Sequence, residues 1–585
     1  MNKIFLIVLS VIFMCASCDD LIEPAIENNR GLSDMYAEAE YAQGILLNAY
    51  TRLPNNGWSF SDVATDDAVS NDVSNSYRKV ATGQWTANFN PLDQWTNSKA
   101  AIQYLNIFLA EADKVQWAKD ENVSLLFRKR LKGEAYGLRA LYMYYLLQAH
   151  SGVTDSNELL GVPIVLGPET PTSNFNIPRN TFEECMTQIF SDVAKAKELL
   201  PLDFEEALNL PPGYDNLNDY NRVFGDYARQ RMSGRIVMFV KAQAALLAAS
   251  PAFSSGNSTT WSNAADYAGQ LLVLNGGIAG LDVNGLTWYK NTAEIEALGS
   301  GKNTKEVLWR TDIANSNNLE ADNFPPTLYG KGRVNPTQNL VDAFPAANGY
   351  PITNVSSNYS ASNPYANRDP RLKAFILVNQ DVAGVSSAVI TTASNGATND
   401  GLNKAATSTR TGYYMKKLLR QDVNLNPSST TTQRHYRPRL RYTELYLDYA
   451  EAANEAWGPL ANGSYGFSAY DVIKAIRKRA GISTGQTDAY LESIKSNKDA
   501  MRELIRNERR LELCFEGYRF WDLRRWKLNL GESAQGMNIQ GTTASPTYTK
   551  IPSVEDRVFA DYMFYGPISY NETLKFNALK QNKGW

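Results

Sequence analysis

The sequence predicts a mainly α protein, built of packed helix pairs and interrupted by one large loop-rich segment with a few short strands. Three observations predict it. First, KGEAYGLRALYMYYLLQ (132–148), GRIVMFVKAQAALLAAS (234–250) and YTELYLDYAEAANEAW (442–457) alternate small and large residues at helical spacing. Small residues there let a neighbouring helix approach closely. Second, Met501, Leu504, Ile505, Leu511 and Phe515 trace one buried face of a further helix. Glu508 and Glu512 share that face, where a carboxylate must be paired. Third, sustained helical periodicity fades between Pro251 and Leu440, where Gly, Asn, Ser and Thr rise.

Taken in order, Lys3 followed by the apolar Ile4–Met14 and small residues has the form of a signal peptide, too short to span a bilayer. Cys15-Ala16-Ser17-Cys18 resembles a bacterial lipobox, implying cleavage after residue 17 and acylation of Cys18. Asp19–Gly31 is a polar tether. Asp34–Leu53 is predicted helical, with Tyr36, Ala39, Gln43, Leu46, Leu47 and Tyr50 facing inward. Pro54–Asn90 breaks the pattern. Such a long irregular stretch within a compact domain is often functional. Helices resume at Asp93–Val115 and Val123–His150, and again at Gly234–Ser250, Ser262–Leu274, Tyr442–Trp457 and Phe467–Ala480. The small/large grammar of these helices resembles that of tetratricopeptide repeats, though without a regular period. Within the irregular segment, Glu306–Arg310 and Leu372–Val378 are predicted as short strands. In Arg506–Trp526, six arginines alternate with Glu508, Glu512, Glu516 and Asp522 among aromatic residues. Gly517 is placed for a left-handed helix cap. The interleaved acids argue for structural ion pairs and against nucleic acid.

This last stretch, RNERRLELCFEGYRFWDLRRW, resembles the C-terminal signature of the SusD/RagB family of surface nutrient-binding lipoproteins. Arg368-Asp369-Pro370-Arg371-Leu372 resembles the family's DPRL turn, and Asp448–Glu455 its late-repeat helix. Gln581–Trp585 resembles its QNPGW terminus, with Lys583 where proline is common. Asp19-Asp20 after the lipobox resembles its acidic surface-export signal. The resemblance implies a SusD-like fold with four tetratricopeptide-like helix pairs. One domain is expected over 32–585, behind a signal peptide (1–17) and a lipidated tether (18–31), with the ligand-binding insertion at about 251–440. It implies a non-enzymatic lipoprotein on the outer face of the outer membrane. That lipoprotein captures an oligosaccharide and, as a hinged lid, delivers it to a SusC-like TonB-dependent barrel transporter. Some members take peptides instead.

Charge and composition agree with a binding role. The 58 basic and 61 acidic residues leave a net charge of −3, so no strong electrostatic partner is implied. The two histidines, His150 and His435, lack the clustering of a zinc site or of Ser-His and Cys-His catalysis. No cofactor is called for. A structural calcium would suit the Asp/Asn-rich loops, but no EF-hand spacing is present. Cys185 and Cys514 are expected as buried free thiols. A surface glycosidase would need a carboxylate pair. Adjacent Asp66 and Asp67 offer the nearest approach to one, although neighbouring side chains usually diverge.

Sugar binding needs a flat aromatic face and planar polar groups that reach hydroxyls. Among residues outside the helical faces, Trp85 is the first choice for a stacking platform and Asp67 for a hydroxyl acceptor. Arg368 is the choice for a donor. Trp58 and the Trp288-Tyr289 pair follow. Trp95, Trp117, Trp309, Trp457, Trp521 and Trp526 are expected in the core.

Overall fold

A computed structural model describes residues 31–585, apart from Asn56, Ser300 and the Leu32 side chain. The signal peptide, Cys18 and the tether lie outside the described residues. Eight helices form the frame: α1 Ala39–Thr51, α2 Trp95–Glu111, α3 Glu121–His150, α4 Phe182–Leu199, α5 Gly234–Ala249, α6 Trp261–Leu274, α7 Tyr442–Trp457 and α8 Ala469–Arg479. They stack in sequence order, α1 on α2, α2 on α3, and so on through α6 on α7 and α7 on α8.

Their starts are set by side chains that accept from orphaned amides. Asp120 caps Val123, Ser233 caps Ile236, and Thr181 and Ser468 form capping boxes with Glu184 and Asp471. The small residues do what their spacing suggests. A Cβ on Gly137 would lie 2.5 Å from Met232 Cγ and 2.8 Å from Val237 Cγ2, so α3 and α5 meet with no room between them. In α1 the buried face is Ala42, Leu46 and Ala49, one step round from the expected face. The α4 helix, although outside the expected pairs, covers α3 with Phe182, Cys185, Ile189 and Val193.

A second core lies beneath the irregular half. It gathers Phe324, Leu340, Phe344, Phe375, Tyr413 and Tyr414 from the insertion with Val63 and Ala68 from the N-terminal loop. Leu511, Phe515 and Ile539 join it from the C-terminal part. Three distant chain segments thus build this second core. Seven two-stranded antiparallel sheets are described. Val307–Arg310 is a strand as expected, whereas Pro370–Phe375 forms a helical turn and only Ile376–Leu377 is extended. The longest pair, Ala534–Thr542 with Ser545–Glu555, carries polar residues on both faces and gives little alternation to read.

The signature folds as helix α9, Lys498–Glu512, a turn, and helix α10, Arg519–Trp526. Gly517 has φ +85°, but α9 ends earlier, at Glu512, so the glycine serves the turn rather than the cap. Phe515 shares the left-handed conformation, at φ +64°. Among the described residues no helix is long and apolar enough to cross a membrane.

Candidate functional site

The buried acids Glu508 and Glu512 of α9 are paired, though with arginines from outside the signature. Arg371 Nη1 donates to Glu508 at 2.8 Å and Glu512 at 2.9 Å, while its Nη2 donates to Asp369 at 2.6 Å. Arg477 donates to the other Glu508 oxygen at 2.7 Å, and Arg479 to the other Glu512 oxygen at 2.8 Å. The signature's own arginines reach elsewhere. Arg509 bridges Asp448 and Asp522, and Arg525 bridges Glu451 and Asp522. Arg510 and Arg519 hold Asp67 and Asp66.

These last contacts position the N-terminal loop. Asp62 accepts the amides of Phe515 and Gly517, both at 3.1 Å. Burial, then the nearby Asp67 charge, pushes the Asp62 carboxyl up to about 7. Burial also works against the Asp66 charge, but Arg510 and Arg519 overrule it and hold that carboxyl well below the usual range. Residues 61–70 are buried throughout, and the chain leading into them projects Trp58 and Phe60 at the surface. Phe60 is left-handed at φ +46°, a conformation held by its packed surroundings.

Trp58 is half-buried and forms the wall between two clefts. One, of about 530 Å³, opens between the N-terminal loop and the insertion. Trp58, Phe60, Trp288 and Tyr289 line it, with Trp58 6.5 Å from both Phe60 and Trp288. Asp72, Asn75, Asn318, Lys331, Arg333 and His435 supply its polar lining. Burial works against a charged His435 ring, but the Glu320 carboxylate at 3.0 Å outweighs it and raises its pKa. The second cleft, of about 420 Å³, lies against the helical frame.

The structure thus brings Trp58, Trp288 and Tyr289 together and corrects the other choices. Trp85 is only 2% exposed: its ring packs on Phe520 at 5.6 Å and the terminal Trp585 at 4.7 Å, with Arg524 stacked above. A ring closed in this way has no face for a sugar. Asp67 is fully buried and committed to Arg510 at 2.6 Å, so it anchors the loop and meets no solvent-borne hydroxyl. The same burial removes Asp66-Asp67 as a hydrolytic pair, since neither can flank a bond in solution. Arg368 is buried and donates to the carbonyls of Pro364, Val341 and Phe344. Trp288 and Tyr289 are themselves buried, at 1% and 6%, and form the cleft floor rather than a stacking face. Trp521, expected in the core, is half-buried in the second cleft. Cys185 and Cys514 are buried free thiols, each pushed up to about 12 chiefly by burial and therefore unreactive. Cys514 sits in the turn after α9 rather than in the helix. Among the described residues no cluster of His, Cys, Asp or Glu is placed to hold a metal ion.

Two family models match the chain and between them span most of it. The SusD family model matches residues 300–585, and a model described as "Starch-binding associating with outer membrane" matches residues 29–212. The chain belongs to the SusD/RagB family. Members of the SusD family are binding proteins rather than enzymes. A SusD-like protein, P25, from Formosa agariphila is 30% identical over 143 residues. That match spans 24% of this chain and only 24% of the relative's length. A SusD-like protein from Bacteroides fragilis superposes with a TM-score of 0.70 at 21% identity, covering 96% of this chain and 100% of that one. A second structure from that organism, a SusD-like carbohydrate binding protein, gives a TM-score of 0.67 at 19% identity, with 93% and 100% covered. These superpositions bear on the fold, and they agree with the mainly helical SusD-like architecture described above.

Proposed function

We propose that this protein is a cell-surface lipoprotein that captures an oligosaccharide in the cleft beside Trp58. It then hands the sugar, as a hinged lid, to a SusC-like TonB-dependent barrel. Its lipid would be carried on Cys18. The observation that carries the sugar-binding part is the composition of the loop–insertion cleft. An accessible indole stands over an aromatic floor, and Asp72, Asn75, Asn318 and Arg333 line the same space. Saccharides present apolar C–H faces and a fringe of hydroxyls, and this surface complements both. Support also comes from the family model that describes starch binding and outer-membrane association, and from a structural neighbour described as carbohydrate binding.

The test applies the purified protein to a panel of oligosaccharides and peptides. Binding of saccharides without cleavage is the expected result. Binding of peptides alone would assign the cleft to the other ligand class of the family, and release of new reducing ends would replace the binding role with hydrolysis. Co-purification from membranes with a barrel transporter tests the delivery step separately.

A further inference from the structure

The second cleft, on the other side of Trp58, has a charge balance that the proposed function does not use. Four acids line it, and each is already neutralised. Asp448 and Asp522 are held by Arg509, Asp522 also by Arg525, and Glu516 by Lys417 and Arg441. Glu444 accepts from Gln243 and Tyr518, both at 2.7 Å, and burial then the Asp448 charge pushes it up to about 8, so it is mainly neutral at pH 7.

Three arginines remain: Arg52, Arg437 and Arg439. Among the described residues none of them forms an ion pair with a carboxylate. The acid whose field reaches Arg439 is Asp312, and for Arg437 it is Glu516, which two cations already hold. Instead, each guanidinium lies over an aromatic ring: Arg52 over Tyr104 at 5.6 Å, Arg437 over Trp58 at 5.0 Å and Arg439 over Trp309 at 5.1 Å. Stacking fixes the plane of a guanidinium and leaves its in-plane N–H groups to bond elsewhere. A few do so. Arg52 Nε reaches Asn48 on its own helix, Arg437 Nη1 reaches Gly57 O at 2.6 Å, and Arg439 reaches Arg310 O and Pro54 O. Among the described residues the buried Arg439 Nε has no hydrogen-bond partner. All three line the same cleft, together with Tyr145 of α3.

Guanidinium groups with no carboxylate at ion-pair distance, set in a concave, aromatic-walled cleft, are a receptor for a ring that bears an oxyanion. We propose that this second cleft binds an acidic sugar residue, with Arg437, Arg439 and Arg52 on its carboxylate or sulfate ester and Trp58, Tyr77 and Tyr145 around its ring. The saccharide identity of the anion rests on the proposed function. The charge preference rests on the arginines alone.

The purified protein is titrated calorimetrically with uronic-acid oligosaccharides, sulfated oligosaccharides, and the carboxyl-reduced or desulfated parent of each, at low and high salt. At least one acidic ligand should bind about tenfold tighter than its neutral parent, and salt should erode the difference. Uronate and sulfate arms identify which oxyanion is preferred. Arg437→Gln should abolish the difference in affinity between each acidic ligand and its neutral parent, whatever its effect through Trp58 on both. Should that variant fold poorly, Arg52→Gln, whose partly exposed side chain bonds Asn48 and stacks on Tyr104, should lower the preference. Equal affinity for acidic and neutral forms, or a preference that survives both substitutions, overturns the inference and leaves neutral sugar binding beside Trp58 intact. If no saccharide binds in any arm, the inference and the proposed function both fail.

Discussion

Arg371 is the residue on which the buried ion-pair lattice turns, and Arg371→Ala tests that lattice. The side chain is 1% exposed and binds three carboxylates. After its removal Glu508 retains Arg477 and Glu512 retains Arg479. Asp369 retains no cation within ion-pair distance among the described residues, and it is 1% exposed. One orphaned buried carboxylate, plus the void left by the side chain, predicts a loss of about 3–5 kcal/mol. Urea unfolding followed by tryptophan fluorescence measures it. Adding Asp369→Ala should recover part of the loss, although Asp369 also caps the turn at Arg371, which by itself is worth about 1 kcal/mol. A single-variant loss below about 1 kcal/mol, or a double variant as unstable as the sum of the singles, would refute the lattice argument.

Two other outcomes are expected. Glu444 in the folded protein keeps its proton up to about 8, whereas the unfolded chain gives it up in the ordinary carboxylate range. Between those limits the folded state binds more protons, so rising pH lowers the stability contributed by this group. Glu444→Gln has no such penalty and should gain in urea midpoint relative to the native protein as pH goes from 5 to 8; a pH-independent difference would contradict the assignment. Trp85→Ala should cost about 3–5 kcal/mol by opening a cavity between Phe520 and Trp585, yet leave saccharide affinity of the folded protein unchanged. A selective loss of affinity in that variant would place Trp85 in the site after all.

The helical frame was legible in the sequence because its information is local. Gly137, Ala140 and their neighbours announce a close helix contact whichever helix supplies it. The signature likewise announced that Glu508 and Glu512 must be paired. Their partners were not legible: Arg371 lies 137 residues from Glu508 along the chain, and the nearby arginines were the natural but wrong choice. Trp85 failed for a related reason. Its polar, aperiodic neighbours suggest a surface loop, but residues 61–70 and Trp85 are buried by the C-terminal part of the chain, including the last residue. No periodic pattern records burial of that kind. Asp67 reads as a solvent-facing acceptor because an Asp pair in a loop carries no trace of Arg510 and Arg519, more than 400 residues away. Trp58 and the Trp288-Tyr289 pair lie far apart in the chain, and the fold gathers them around one cleft.

The proposed sugar site depends on the indole of Trp58 beside the loop–insertion cleft. Calorimetric titration of the native protein and of Trp58→Ala with an oligosaccharide that the native protein binds tests it most directly. The account predicts at least about a tenfold loss of affinity in the variant with the urea midpoint nearly unchanged, because the ring is half-buried at the rim. Unchanged affinity in a folded Trp58→Ala protein would contradict it.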